Sequence, residues 1–158
     1  MTCALAFDAK LETPEGPLTV KTVGAAPTPV MVRDPDGRVR FAMSRDVRVV
    51  AAAQPVLRIA LANGRALRLG AEQVLLGPDG VERRAGDLRA GDALLCAFAF
   101  PVGYAYRTDD GDERVSDGCV AVASIADGGT ADLYALAVDG PPFVFSCGLV
   151  GVAGSPDT

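Results

Sequence analysis

Four residues of this chain carry side chains able to act as soft nucleophiles or metal ligands: Cys3, Cys96, Cys119 and Cys147. A thiol attacks a carbonyl usefully only when something takes its proton, and His is the usual neighbour for that task. The chain has no His, and Asn63 is its one Asn. Histidine-based acid–base catalysis, Ser-His-Asp and Cys-His sites and His-ligated metals are therefore excluded, as is cyclisation of an Asn near the C-terminus. The cysteines have none of the short Cys-x-x-Cys spacings of a zinc knuckle. Isolated cysteines are most often small core residues, and that is the first expectation for these four.

Composition narrows the setting. A chain of 158 residues suits one domain with a real core. Its net charge is −5, and its basic residues are scattered along the sequence, so no phosphate-tracking stripe and no nucleic-acid partner are expected. The apolar fraction is 49%, but charge or Gly interrupts it every few residues. No run approaches the roughly 18–20 residues of a membrane span. Asp8, Lys10 and Glu12 do not suit a signal peptide, and the chain is expected to be cytoplasmic when synthesised.

The elements that would position any chemistry are strands. Leu18–Val23 alternates with period two after a Pro14–Pro17 turn. Strands at Thr28–Arg33 and Val39–Met43 flank the turn Asp34-Pro-Asp-Gly37, and Arg45–Val50 alternates again. After Gln54-Pro55, Val56–Ala62 and Arg65–Leu69 form a hairpin about Asn63-Gly64, both of which tolerate positive φ. Val74–Leu76 and Val81–Arg83 bracket Gly77-Pro-Asp-Gly80, and Ala85–Asp92 forms a compact corner around Leu88. Ala93–Phe100 is an apolar run of strand length, and 107–118 is an acidic loop expected to be solvated and mobile. Val120–Ile125, Leu133–Val138 and Phe143–Val152 complete the set. No segment keeps a 3.6-residue period for three turns, so the domain is expected to be all β.

The order of these pieces resembles the Hint domains, the Hedgehog and intein family. The opening, Cys3 to Asp8 and then Thr13-Pro-Glu-Gly-Pro-Leu-Thr-Val20, is similar to that family's first block. The hairpin ending in Gly70-Ala-Glu-Gln73 is similar to its second block, and the Leu88-Arg-Ala-Gly-Asp92 corner to the block that follows. Val122–Ala126, Leu133–Val138 and Phe143–Val150 resemble the closing pair. The resemblance implies a horseshoe-like all-β domain of many short strands and hairpins over residues 1–153, with a tail at 154–158, whose two ends meet at one centre.

It also implies a reaction, in which an N-terminal Cys forms a thioester helped by a Thr and a His, and a closing His-Asn pair finishes the release. In this chain the Thr position falls on Gly70, the His position on Gln73, the Asp of the Tyr-Asp-Leu phrase on Ala135, and the closing pair on Val152-Ala153. An amide cannot exchange protons at a useful pKa. Cys3, Gly70 and Gln73 are therefore expected to be vestigial, with no enzyme activity and no cofactor. Met1 and Thr2 alone precede Cys3, so autoprocessing there would release at most a dipeptide. The expected role is structural or protein docking, with partners in a larger assembly such as a phage or gene-transfer particle. One alternative uses the meeting of the chain ends to gather Cys3, Cys96, Cys119 and Cys147 into a four-thiolate zinc or iron–sulfur site. Residual autoprocessing at Cys3 and a Cys3–Cys147 disulfide are the others.

Overall fold

The computed structural model describes residues 3–99, 102–138 and 142–153; the expected tail at 154–158 lies outside the described residues. The strands are β1 (Leu5–Ala6), β2 (Lys10–Thr13), β3 (Gly16–Thr19), β4 (Pro29–Arg33), β5 (Val39–Leu61), β6 (Ala66–Leu69) and β7 (Val74–Leu76). After them come β8 (Glu82–Arg84), β9 (Ala93–Leu95), β10 (Ala105–Arg107), β11 (Glu113–Val115), β12 (Cys119–Val138), β13 (Phe143–Val144) and β14 (Val150–Gly151). The main sheet runs β8-β7-β14-β13-β4-β5-β6-β1-β12-β9, with β5 also paired to β12. The pairs β2–β3 and β10–β11 stand as separate two-stranded sheets. The expected all-β single domain is what forms.

Its hairpins reuse one turn. At the tip of β5–β6, Gly64 N–H donates to Leu61 C=O (3.0 Å) and Leu61 N–H donates to Arg65 C=O (2.8 Å). Gly64 sits at φ +85°, a conformation open to Gly at little cost. The same two bonds and the same left-handed Gly recur at Asp34–Arg38, Gly77–Val81, Thr108–Asp112 and Phe145–Leu149. Both Asn63 and Gly64 tolerate positive φ, but only Gly64 of that pair adopts it. Asn63 instead accepts the Arg65 N–H on its side-chain oxygen at 3.0 Å.

Two long strands carry the architecture. The expected breaks at Gln54-Pro55 and between Ile125 and Leu133 do not end strands; β5 and β12 run through them and pair antiparallel from Leu61↔Val122 to Ser44↔Val138. The irregularities in both strands fall at one level. Ala53 takes φ +49°, Pro55 faces Thr130, and the register shifts between Asp127 and Thr130. A bulge accommodates a Pro that the interior of a ladder would reject. Gly128 permits the close approach, because a Cβ there would lie 3.1 Å from backbone atoms of Val56, Leu57 and Arg58.

Other boundaries also differ from the sequence expectation, among them the acidic 107–118 segment, which is spanned by the paired β10 and β11. Leu18–Val23 is a strand only to Thr19, and Val20–Val23 forms one helical turn, α1, because the Thr19 hydroxyl accepts the Thr22 N–H and Val20 and Val23 are both buried. Ala93–Phe100 is a strand only to Leu95; Cys96 makes a single bridge to Leu149, and Phe100 lies outside the described residues. Phe143–Val152 is a hairpin, β13 and β14, folded at Gly148 (φ +95°). The core beneath holds Leu5, Leu11, Ile59, Leu69, Leu136, Phe143, Phe145 and Leu149. Phe143 and Phe145 meet edge to face at 5.1 Å.

Candidate functional site

The two ends of the described chain, at Ala4 and Val152, meet at Gln73. This residue closes the short loop between β6 and β7, which is held on every side by backbone bonds: Gly70 N–H to Ala4 C=O (2.9 Å), Gln73 N–H to Gly70 C=O (3.1 Å), Ala85 N–H to Gln73 C=O (2.9 Å) and Gly86 N–H to Ala71 C=O (2.8 Å). The Ala85-Gly-Asp87 corner thus clamps the loop from outside, and Gly86 comes so close that a Cβ would lie 3.1 Å from that of Ala71. So fixed, the Gln73 side chain is fully buried. Its Oε1 accepts the Ala4 N–H at 2.7 Å, and its Nε2 donates to Val74 C=O at 2.9 Å and Val152 C=O at 3.3 Å. One amide therefore joins the strand entering the fold to the strand leaving it.

Cys3 stands beside this amide, one residue before Ala4. It is buried, and its Sγ accepts the Leu136 N–H at 3.4 Å. Gly70, the other residue singled out, has no room for a side chain: a Cβ would lie 2.8 Å from the Ala4 Cβ and 3.0 Å from Leu133 Cδ1. Ala4, Gly70 and Gln73 are thus brought together, with Cys3 next to them along the chain. The Gln73 amide is committed to Ala4, Val74 and Val152, and the Cys3 thiol to the Leu136 N–H.

The other cysteines do not join Cys3. Among the described residues no three His, Cys, Asp or Glu side chains are arranged to hold a metal ion, so Cys3, Cys96, Cys119 and Cys147 do not form a four-thiolate cluster in this structure. Cys119 opens β12 opposite Leu95, whereas Cys3 accepts from Leu136 near that strand's far end. Cys96 and Cys147 are neighbours, the Cys96 thiol pointing at Cys147 C=O at 3.9 Å. Burial pushes the Cys147 thiol up to about 11, with Cys96 adding to the rise and the Leu149 N–H and Arg65 opposing it. No disulfide joins any two of the four cysteines, Cys3 and Cys147 included.

A second locality escaped the sequence reading. Four of the fifteen cations are gathered: Lys10, Arg58, Arg65 and Arg68 line a cavity of about 430 Å³ beside the β5–β6 hairpin. The signal was available, since Arg58 and Arg68 lie five residues to either side of Asn63 and pair directly across the hairpin.

No family model and no curated protein sequence matches the chain. Solved structures do match, over nearly its whole length. An Ssp DnaB mini-intein variant superposes with TM-score 0.75 at 15% identity, covering 98% of this chain and 97% of its own. The chain has the intein, or Hint, fold. A DnaB intein from Synechocystis gives 0.73 at 17% identity, covering 96% and 99%. An intein-like domain from Clostridium thermocellum gives 0.72 at 16%, covering 98% and 100%. At these identities the intein fold is what is shared.

Proposed function

We propose that this chain is a degenerate Hint domain, without splicing or autoprocessing activity, that serves as a structural or protein-docking module. The observation that carries this reading is the saturated Gln73 amide at the meeting of the chain ends. Thioester formation needs a group to take the thiol proton and another to protonate the departing amine. Beside Cys3 the side chain in the family's His position is an amide already committed to three backbone groups, and Gly70 has no space for a hydroxyl-bearing side chain.

A docking role draws support from the outer face of the β4–β5 hairpin. Val39, Phe41 and Met43 alternate outward on β5, each more than two-fifths exposed, and Phe41 faces Met31 across the register. Adjoining apolar residues on an exposed sheet face are a common mark of interaction surfaces. Nothing in the fold points to a virus particle, and the docking role is proposed without that setting.

The test is a reporter peptide fused ahead of Thr2-Cys3 and incubated with hydroxylamine or dithiothreitol. Release is expected to equal that of Cys3→Ala. Nucleophile-dependent release that disappears in Cys3→Ala would sink the reading.

A further inference from the structure

The cationic cavity beside β6 sets four cations, Lys10, Arg58, Arg65 and Arg68, against one carboxylate, Asp8. Arg68 is satisfied: it donates to Gly128 C=O (3.0 Å) and Thr130 C=O (3.4 Å) and forms an ion pair with Asp8 at 3.0 Å. Arg65 donates to the Ser146 carbonyl at 2.8 Å, which leaves its charge unneutralised. Among the described residues Lys10 and Arg58 have no side-chain partner. Three cations therefore face one cavity unbalanced, in a chain whose net charge is −5. Arg58 also lies directly across the ladder from Arg68, a like-charge arrangement that costs stability unless an anion answers it. The floor is apolar, with Ala9, Leu67 and the buried Phe145.

The backbone indicates the shape of that anion. Leu61 N–H bonds Arg65 C=O, and pairs in an antiparallel ladder alternate, so the Ala60–Ala66 pair directs its N–H and C=O groups away from each other. Gly70 N–H, four residues on and in phase, points outward to Ala4 in the same way. Strand β1 reaches β6 only at Leu5↔Leu69, so the outward groups of Ala66 have no strand partner among the described residues. An unpaired strand edge accepts an extended peptide. A nucleic acid fits less well, because Phe145 is covered and offers no ring face for a base to stack on.

We infer that this cavity is a docking site for an extended acidic segment of a partner protein, its carboxylates held by Lys10, Arg58 and Arg65 and its backbone added to the Ala66 edge of β6. The inference rests on the docking reading and gives it a partner chemistry.

The probe is a fluorescein-labelled hexapeptide alternating Glu with Val, titrated by anisotropy against the full chain at low salt. Binding is expected, weakened at least tenfold by the double reversal Lys10→Glu/Arg58→Glu and unaffected by Arg38→Glu on the distant β4–β5 turn. The same peptide N-methylated on one backbone edge keeps its charge and leaves the protein untouched, and is expected to bind at least tenfold more weakly. Equal binding of the N-methylated peptide, indifference to the double reversal, or no binding up to millimolar protein would overturn the inference. So would preferential binding of a dT oligonucleotide or of pyrophosphate. None of these failures touches the non-catalytic reading, which the reporter release decides, or docking through the β4–β5 face.

Discussion

Replacing Gln73 by Leu removes the amide that joins the chain ends while filling most of the same volume. Three bonds are lost, but they are not equal. Val74 C=O keeps a second partner, the Val152 N–H at 3.0 Å, and half-buried Val152 is near solvent. The Ala4 N–H is fully buried and has the Gln73 oxygen as its acceptor, so leaving it orphaned is the main cost. An unsatisfied buried donor costs about 1–3 kcal/mol, and with the weaker losses the expected destabilisation is roughly 2–4 kcal/mol. For a domain of this size that lowers the melting temperature by about 5–15 °C. The readout is circular dichroism or tyrosine emission, the chain having three Tyr and no Trp. Gln73→Glu adds a sharper test. The new oxygen would face the Val74 and Val152 carbonyls, so burial and acceptor crowding raise its carboxyl pKa in the fold. A raised folded pKa makes that variant most stable below the unfolded value of about 4.3 and less stable as pH rises through the folded value. If Gln73→Leu melts within about one degree of the parent, far short of the expected shift, the amide is not what joins the ends. A Gln73→Glu variant whose stability relative to the parent ignores pH refutes it equally.

Other outcomes follow from single contacts. Gly70→Ala drives a Cβ into Ala4 and Leu133 and is expected to cost about 1–3 kcal/mol in denaturant unfolding, although it adds only a methyl group. Gly64→Ala meets no atom within 4 Å and suffers only the left-handed backbone, at about 1 kcal/mol; Gly148→Ala adds a clash 2.5 Å from the Cys96 sulfur and is expected to cost distinctly more. The Cys147 thiol, raised from 9.0 to about 11, stabilises the fold fully below pH 9 and loses that contribution as pH climbs toward 11. Against Cys147→Ala, the parent is therefore expected to lose roughly 2–3 kcal/mol more across that window in chemical unfolding. At neutral pH, iodoacetamide is expected to label Cys147 far more slowly than unfolded-chain thiols, as mass spectrometry would show.

The turns were legible in the sequence because their cause is local: Gly37, Gly64 and Gly80 supply a left-handed residue wherever the chain reverses. What was not legible depends on the opposite strand. Pro55 looks like a terminator until Thr130 and the bulge beside Gly128 are placed across from it, and only then is one strand visible where two were expected. The helical turn at Val20–Val23 was hidden because Val and Thr suit strands, while the Thr19 cap and the burial of Val20 and Val23 decide otherwise. At the site, it was the resemblance to Hint domains, carried by the order of the blocks, that grouped Cys3, Gly70 and Gln73. Gln73's three bonds were not readable, since two of their partners, Ala4 and Val152, are backbone groups at opposite ends of the chain. The cationic cavity was missed by counting charges along the sequence instead of across the hairpin, where Arg58 and Arg68 face each other.

The long β5–β12 ladder has a consequence for how the chain reaches this state. Its partners are all far apart in sequence, with Ser44 meeting Val138 and Leu61 meeting Val122. The entropy of closing so large a loop must be met before the first rung forms, yet each later rung adds almost no further closure cost. Folding should therefore be slow to begin and quick to complete, as one zippering event. Hairpins such as β5–β6 and β7–β8 will form and dissolve many times beforehand, and the molecule waits on a single encounter between its early and late halves.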